Sequence, residues 1–372
     1  MGASSVRLLI CAGGTGGGVY PALAVLQALS NKVDQVLWVG GEGGIEADMV
    51  KRENIPFETI PAAGIHGVGL KSLPRNVLRL TKGYFASRRI LKSFQPDVLL
   101  FTGGFVAVPM ALAGIPLQSL LYVPDIEPGL ALKTIARYSD HVAVTTPESK
   151  VYFRKEQPVT VTGYPTRSNL NEWTREKAAE FFQLANIKPV ILILGGSKGA
   201  RSINQAVQRS LHQLLDMAEI IHITGSLDFA AAEQSRDQLD HDQKANYHLF
   251  SYLHEMGAAL AAADLAISRS GASTLGEYPQ FGLPAVLVPY PYTWRYQKVN
   301  ADYLEKHGAA VILEDSALEE QLFPLVRTLL NDPQRLKNMK IAAQSLSKPD
   351  AAAEIAGILV QLANKSKHTR NQ

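Results

Sequence analysis

Cysteine is nearly absent from this chain: Cys11 is the only one among 372 residues. A single cysteine excludes an internal disulfide framework and a cysteine-based metal site. Long apolar runs are also missing, since no run approaches the roughly 18 residues needed to span a bilayer. Neither sign of charge dominates, because 37 Lys and Arg face 34 Asp and Glu, for a net charge of +3. So small an excess does not indicate a nucleic-acid partner, and we expect none.

Acidic residues are absent from one long stretch. Between Glu58 and Asp97 there is no Asp or Glu, but there are seven basic residues: Lys71, Arg75, Arg79, Lys82, Arg88, Arg89 and Lys92. Leucines and aromatic residues are mixed with these cations in segment 66–92. One interpretation is an amphipathic helix that covers a sheet and exposes a solvated face. The other is a surface for anionic lipid headgroups, to which each basic residue adds about 1 kcal/mol. Both can hold for the same helix and its preceding loop.

The rest of the chain alternates apolar runs with helical stretches, and glycine turns follow many of the runs. Buried parallel strands are predicted at 6–11, 35–39, 57–61, 97–102, 119–123, 141–145, 159–163, 189–194, 219–224, 247–250, 265–267 and 285–289. This alternation indicates an α/β protein with doubly wound parallel sheets. Such sheets bind ligands beyond the carboxyl ends of their strands.

The length suggests two domains of ordinary size. The boundary is expected at Gly163-Tyr164-Pro165, which gives an N-terminal domain 1–164 and a C-terminal domain 165–345. A last helix at about 350–363 is expected to cross back onto the first domain. The polar end from Lys365 is predicted to be a frayed tail. The first apolar run leads directly into a glycine loop, so it is interpreted as a β-strand and not as a signal peptide.

Two glycine loops each follow a strand: AGGTGGG after 6–11 and GGSKGARSIN after 189–194. Glycine lets the backbone approach a phosphate closely, and the N-terminus of a following helix adds unpaired N–H donors. The helices are predicted to begin near Pro21 and near Ala200. Neither loop is GxGxxG with an acidic residue at the distance expected for a dinucleotide ribose, which argues against NAD.

A third candidate is the stretch 268–300. Ser270 is predicted to cap a helix whose first turns are 272–277, an arrangement suited to an anion. Glu277 follows at a reach suited to a sugar hydroxyl, and a polar loop ends in Gln297 and Asn300. The alternative is an ordinary strand–turn–helix crossover with a buried or solvated Glu277.

Together, GGTGGGVYPAL, GYPTR, GGSKGARSIN, RSGASTLGE and GLPAVLVPYP with YQKVNA resemble the MurG family, in order and over almost the whole chain. Its members are bacterial transferases that add N-acetylglucosamine to undecaprenyl-pyrophosphoryl-muramyl-pentapeptide (lipid I) and form lipid II. The resemblance implies the GT-B fold: two Rossmann-like domains facing a cleft, with UDP-N-acetylglucosamine held mainly by the second. It implies inverting transfer without a metal or cofactor, to an undecaprenyl-linked acceptor in peptidoglycan synthesis. The expected location is cytoplasmic, peripheral on the inner face of the cell membrane, with segment 66–92 on anionic lipid.

The resemblance also implies roles for particular residues. In the first domain, Thr15, Gly16 and Gly17 would sit where acceptor and donor meet. Arg167, in GYPTR just beyond the expected boundary, would lie close to the donor diphosphate. In the second domain, Ser197 would contact the diphosphate. The remaining positions are the backbone of Leu253 at the uracil, Gln297 at the transferred sugar, Glu277 at the ribose hydroxyls, and the turn before it formed by Ala272, Ser273, Thr274, Leu275 and Gly276.

The chain departs from the family pattern on the acceptor side. The family's first loop reads GGTGGH, and Gly18 stands where that histidine has been considered a base. Ala107 and Val108 occupy GGFVAVP where smaller or polar residues are usual, and Asp125 stands at the usual Asn. Asp125, at the carboxyl end of a strand, is the candidate catalytic base, because apolar neighbours would raise the pKa of its carboxyl group. Glu127 is a second choice.

Several alternatives stay open. Asp125 could instead cap a helix starting near Pro128. The departures also allow a related transferase with another lipid acceptor, a UDP-N-acetylglucosamine 2-epimerase of the same fold, or an inactive nucleotide-sugar-binding relative. The triplet Asp240-His241-Asp242 is interpreted as part of a solvated loop and not as a metal site.

Overall fold

The computed structural model describes residues 6–13, 16–44, 46–63, 73–185, 187–196, 199–292 and 296–370. The chain divides into two compact units: Met1–Arg167 with Pro349–Gln372, and Ser168–Lys348. The first crossing between the units therefore falls a few residues beyond the predicted boundary at 164. Within each unit, the described strands form one parallel sheet.

The sheet of the first unit has seven strands in the order β3-β2-β1-β4-β5-β6-β7. Their bounds are β1 (Arg7–Ala12), β2 (Gln35–Gly41), β3 (Phe57–Ile60), β4 (Val98–Gly103), β5 (Ser119–Val123), β6 (His141–Val144) and β7 (Val159–Val161). The strand order reverses at β1 and β4, so the loops after these two strands diverge and leave a crevice at the carboxyl edge.

The helices of the described chain that cover this sheet, besides the last one, are α1 (Gly16–Leu29), α2 (Glu46–Arg52), α3 (Leu73–Phe94), α4 (Ala107–Ala113) and α5 (Leu130–Ala136). The continuous apolar character of β1 reflects burial on both faces. Leu8 and Ile10 belong to one apolar core with α1, while Leu9 and Cys11 belong to a second core with α4 and α5. Burial raises the pKa of the Cys11 thiol well above its ordinary value, so this cysteine is a packing residue.

The sheet of the second unit has six strands in the order β10-β9-β8-β11-β12-β13. They are β8 (Val190–Leu194), β9 (Glu219–Ile223), β10 (Tyr247–Phe250), β11 (Leu265–Ser268), β12 (Ala285–Leu287) and β13 (Ala310–Ile312). The helices are α6 (Arg175–Phe182), α7 (Arg201–Arg209), α8 (Leu211–Met217), α9 (Phe229–Asp237), α10 (His241–Ala245), α11 (Met256–Ala262), α12 (Glu277–Phe281), α13 (Tyr296–Lys306), α14 (Leu318–Leu330) and α15 (Pro333–Ser345). The order reverses at β8 and β11, which places a second crevice after those strands.

The last helix, α16 (Ala351–Arg370), belongs to the first unit. Ile355 and Leu359 are buried in the same apolar core as Leu8. The prediction of a frayed tail from Lys365 is wrong as far as Arg370. Ser366 is buried, and Lys367 Nζ lies 3.9 Å from Asp97 Oδ2, so tertiary contacts hold this polar end in helical form.

The start of α1 also differs from the prediction. The helix begins at Gly16, and Pro21 lies inside it. Proline lacks an N–H and crowds the carbonyl four residues before it, which here belongs to Gly17. Gly16, Gly17 and Gly18, which the sequence assigns to a loop, form the first turn of the helix. The predicted start of α7 is confirmed, because Ala200 occupies its N-cap position. The predicted class, two α/β domains with parallel sheets, is confirmed as well.

Candidate active site

The turn after β11 is not the single helix that the sequence predicts. Residues Ala272–Leu275 form a 3₁₀ turn with Gly271 at its N-cap, and α12 starts separately at Glu277. Ser270 is not a cap, because its hydroxyl donates to the Gln297 carbonyl at 2.7 Å. The N–H groups of Thr274 and Gly276 bond within the turn. An anion at the start of this turn would therefore meet the N–H groups of residues 272 and 273.

Residues of α13 are tied to the same turn. The side-chain amide of Asn300 is buried and donates to the Ser270 carbonyl at 3.2 Å. Gln297 Oε1 accepts the N–H of Tyr290 at 3.0 Å. The structure thus brings Ser270, Gln297 and Asn300 together at the carboxyl edge of the second sheet.

Arg269 is a central residue of this edge that the sequence interpretation missed. Its guanidinium donates to the Val288 carbonyl at 3.1 Å, to Ser202 Oγ at 2.8 Å and to Asp315 Oδ1 at 3.1 Å. It also lies 5.1 Å from the centre of the Tyr290 ring. The Arg269 and Asp315 side chains are only 9% and 12% exposed. The group joins the ends of β11 and β12 to the start of α7, and the RSG motif was the available signal for it.

A second buried hydrogen-bond network lies next to the loop after β8. His222 Nε2 lies 3.0 Å from Asn204 Oδ1, and His222 Nδ1 lies 2.8 Å from the Tyr247 hydroxyl. Asn204 Nδ2 already donates to the Thr224 carbonyl, so its Oδ1 is an acceptor. His222 must then donate from Nε2 and accept at Nδ1 from Tyr247. Complete burial lowers the pKa of His222 to about 3, so the ring is neutral.

This network reaches the loop after β8 through Thr224. Gly199 has a φ of +77°, and a Cβ there would lie under 3.0 Å from the Thr224 carbonyl oxygen. The carbonyl that anchors Asn204 is therefore the surface on which the second glycine loop rests. Ser197, in the middle of that loop, lies outside the described residues.

The other predicted residues of the second unit occupy the same edge. Leu253 follows β10 and is buried, next to the half-exposed Tyr252. Glu277 is half-buried at the first position of α12. Ala272, Thr274 and Leu275 are buried, while Ser273 and Gly276 are half-buried.

In the first unit, the start of α1 contacts the end of β4. Thr15 lies outside the described residues, while Gly16 and Gly17 open α1. The Gly18 carbonyl accepts a hydrogen bond from Thr102 Oγ1 at 2.6 Å. A Cβ at Gly18 would lie 3.1 Å from the Thr102 carbonyl oxygen, so the neighbouring backbone would have to shift slightly to admit a side chain.

Arg167 ends the first segment of the first unit and packs on α1. Its guanidinium carbon lies 4.6 Å from the centre of the Tyr20 ring. A cation over an aromatic face is stabilised by about 0.5–1 kcal/mol at exposed sites and by more when desolvated. The Tyr20 ring therefore holds the guanidinium beside the start of α1.

Asp125 follows β5 on a fixed backbone. Thr145 Oγ1 donates to the Pro124 carbonyl at 2.7 Å and accepts from the Tyr122 hydroxyl at 2.8 Å. Burial raises the pKa of Tyr122 well above its ordinary value, and the charge of Asp125 adds to the shift. Tyr122 therefore remains a neutral donor. The Asp125 side chain itself is half-buried.

The structure bears on both alternatives around Asp125. The next helix, α5, starts at Leu130 with Gly129 at its N-cap, so the prediction that Asp125 caps a helix near Pro128 is wrong. Glu127 is buried and its Oε1 lies 3.4 Å from Lys133 Nζ, and its role as second choice of base stays a prediction. Ala107 is fully buried at the start of α4 and Val108 is half-buried, so these departures fill the core beside the crevice.

The triplet 240–242 is exposed but is not a loop. Asp240 caps α10 by accepting the N–H of Gln243 at 2.8 Å, and His241 begins the helix. In the part of the chain that the structure describes, His, Cys, Asp and Glu side chains do not gather in threes suited to a metal ion. Within the same residues, no helix is long and apolar enough to cross a membrane.

Comparison with known proteins gives the family. Residues 8–144 match the glycosyltransferase family 28 N-terminal domain, and residues 190–355 match the glycosyltransferase family 28 C-terminal domain. A protein of Roseiflexus sp. (strain RS-1) is 38% identical over 97% of this chain and 96% of its own length. Its name is UDP-N-acetylglucosamine--N-acetylmuramyl-(pentapeptide) pyrophosphoryl-undecaprenol N-acetylglucosamine transferase. This chain belongs to the MurG family of glycosyltransferases.

Solved structures agree with membership of the MurG family. The crystal structure of Acinetobacter baumannii MurG matches with a TM-score of 0.76 and 27% identity, over 96% of this chain and 99% of that one. A UDP-N-acetylglucosamine 2-epimerase matches with a TM-score of 0.65 over 95% of each chain. At 15% identity, the epimerase shares the fold and supports no statement about activity. The family predicted from the sequence motifs is therefore confirmed.

Proposed function

We propose that this protein transfers N-acetylglucosamine from UDP-N-acetylglucosamine to undecaprenyl-pyrophosphoryl N-acetylmuramyl-pentapeptide, a step of peptidoglycan synthesis. The observation that carries the proposal is 38% identity over 97% of the chain to a protein named for this reaction. The intact hydrogen-bonded edge around Ser270 and Gln297 supports a donor site in the second unit. In the reaction, the acceptor hydroxyl attacks the anomeric carbon, UDP leaves, and a base accepts the hydroxyl proton.

The donor diphosphate gains charge as UDP leaves, and preorganised donors lower the energy of that state. Backbone N–H groups of residues 272 and 273, the loop containing Ser197, and Arg167 are the groups proposed to meet it. Glu277 is proposed to accept the ribose hydroxyls, and the Gln297 amide to donate to the transferred sugar. Leu253 is proposed to hold the uracil through its backbone.

A UDP-binding titration and a transfer assay test the donor assignments. Glu277→Ala should weaken UDP-N-acetylglucosamine binding by about 10- to 150-fold, since a hydrogen bond involving a charged group contributes about 1.5–3 kcal/mol. Gln297→Ala should weaken it by about 2- to 10-fold, since a hydrogen bond between neutral groups contributes about 0.5–1.5 kcal/mol. Glu320→Gln, at an exposed position in the first turn of α14, is the matched control and should bind as the wild type does. Unchanged donor affinity in both variants would show that the stretch 268–300 is not the donor site.

Asp125 is the proposed base. The observation in its favour is its half-buried place at the carboxyl end of β5, on a backbone fixed by Thr145. Asp125→Asn should lower the turnover rate by about 10²–10⁴-fold while leaving UDP affinity unchanged. Glu148→Gln, an exposed carboxylate after β6, controls for loss of charge alone. Full activity of Asp125→Asn would exclude Asp125 as the base.

Helix α3 is proposed to bind peripherally to anionic membranes. Arg75, Leu78, Lys82, Phe85 and Arg89 recur every three or four residues, so they share one face of the helix. Leu78 and Phe85 are 56% and 65% exposed, an unusual position for large apolar side chains between cations. Arg79 points elsewhere, because it pairs with Glu42 at 3.2 Å. Residues 66–72 of the predicted segment lie outside the described residues.

Vesicle sedimentation tests the membrane proposal. The protein should bind vesicles that contain anionic lipid, and the binding should fall as salt screens the cations. Replacing Arg75, Lys82 and Arg89 by Glu should release it without changing UDP affinity. The same number of reversals at Arg335, Lys337 and Lys340, exposed on α15, should leave vesicle binding in place. Equal sedimentation of both triple variants would exclude α3 as the membrane-binding surface. The interpretation of α3 as a solvated amphipathic helix would then remain.

A further inference from the structure

Glu46 is a buried carboxylate for which the proposed reaction has no use. It is the first residue of α2, and it is only 1% exposed. Burying a charged group away from water is unfavourable unless hydrogen bonds compensate. Its Oε1 accepts the N–H of Gly41 at 2.8 Å. A carboxylate kept in so enclosed a place stabilises the backbone around it.

Glycines leave the space that this carboxylate fills. A Cβ built on Gly13 or on Gly44 would lie under 3.0 Å from Glu46 Oε1, and the three nearest atoms in both cases belong to that carboxylate. A Cβ on Gly40 would also lie under 3.0 Å from Oε1. Gly13 follows β1, whereas Gly40 and Gly44 belong to the end of β2 and its loop. One side chain therefore sets the distance between two loops.

The contact continues to a third loop. Gly104, after β4, has a φ of +82°, and a Cβ there would lie under 3.0 Å from the Gly13 carbonyl oxygen. The backbones of the loops after β1 and β4 thus rest directly on each other. These are the two strands at which the sheet order reverses, so the chain of contacts from Glu46 ends at the crevice of the first unit.

We propose that Glu46 is a positioning residue, whose carboxylate fixes the backbone at Gly13, Gly44 and Gly104, beside the crevice that receives the acceptor. The inference rests on the proposed function in assigning the acceptor to this crevice. Glu46 is not a catalytic residue, because its burial leaves no surface for a substrate. It also gives a physical reason for glycine at positions 13 and 44, where the φ angles do not require it.

A double-mutant cycle tests the contact without any substrate. Gly44→Ala should lower Tm by about 2–10 °C, since the added methyl group displaces the carboxylate from its hydrogen bond. In a Glu46→Ala background, the same substitution should lower Tm by less than half as much. Gly114→Ala is the control, because its Cβ would meet Leu99 and should cost the same in both backgrounds. Additive effects of Gly44→Ala and Glu46→Ala would overturn the proposed contact.

Acceptor kinetics test the positioning role. Glu46→Ala removes the contact and should lower kcat/KM for the lipid acceptor by about tenfold, the effect of one misplaced loop contact. Glu46→Gln keeps the size and an acceptor for Gly41, so it should retain most of the wild-type value. UDP affinity should not change, and Glu53→Gln, exposed after α2, should match the wild type. Wild-type acceptor kinetics in Glu46→Ala would overturn the inference. A wild-type protein that transfers no sugar would instead refute the proposed function, and the coupling between Gly44 and Glu46 would still be measurable.

Discussion

Acidification should destabilise the second unit through His222. In the folded protein, burial lowers the pKa of this ring to about 3, so it stays neutral at moderately acidic pH. In the unfolded chain it takes up a proton below its ordinary pKa of about 6.5. Unfolding therefore binds one proton in the window between about 6.5 and about 3, and the stability that neutral His222 contributes is lost as the pH falls through that window.

The magnitude follows from the two pKa values. At about pH 5.5, one unit below the unfolded pKa, the single proton costs the folded state about 1.4 kcal/mol, and at about pH 7.5 it costs almost nothing. In the folded protein both ring nitrogens of His222 are hydrogen-bonded, to Asn204 and Tyr247. The folded ring therefore has no free position for a second proton, and only the unfolded chain gains the proton-binding energy. His222→Gln is the informative variant, because glutamine supplies one donor and one acceptor but does not titrate.

Hydrogen exchange of the β9 and β10 amides provides the assay, since it reports opening of this sheet alone. Wild type and His222→Gln are compared at the same pH, which cancels the chemical exchange rate and the other titrating groups. The ratio of their opening constants should change by about tenfold between about pH 7.5 and about pH 5.5. A ratio that stays constant within about twofold would refute the neutral, fully buried assignment of His222.

Three further outcomes are expected. Asp315→Ala should lower the free energy of unfolding by about 3 kcal/mol in urea titrations, because it removes the carboxylate charge that pairs with the buried Arg269 guanidinium. A change below about 1 kcal/mol would contradict a desolvated pair. Gly18→His restores the histidine of the family's first loop, but its Cβ crowds the Thr102 carbonyl. We expect a lower Tm by differential scanning fluorimetry and no gain in turnover. Tyr20→Leu should weaken UDP-N-acetylglucosamine binding by about two- to fivefold in titration calorimetry, the loss of one exposed cation–π contact with Arg167; an unchanged affinity would mean that this contact does not serve the donor.

The sequence by itself determined the two-sheet α/β class and the family. Uninterrupted apolar runs such as 190–194 are required where helices cover both faces of a sheet, so composition predicted every described strand except β13. Glycine loops at strand ends identified the carboxyl edges, and the ordered motifs from GGTGGG to YQKVNA identified the MurG family. These signals are local, because each depends on residues adjacent in the chain.

Only the tertiary structure decided which side chains support those edges. Arg269, Ser202 and Asp315 are far apart in sequence, and no local pattern predicts that they share one hydrogen-bonded group. The polar end of α16 is helical because it packs on the first sheet, although its composition predicts a frayed tail. Glu46 belongs to the same class: an acidic residue at a helix start is commonly solvated, and its burial follows from glycines in two separate loops. Contacts between distant segments depend on the packing of the whole domain, so they became visible only when the strands were placed side by side.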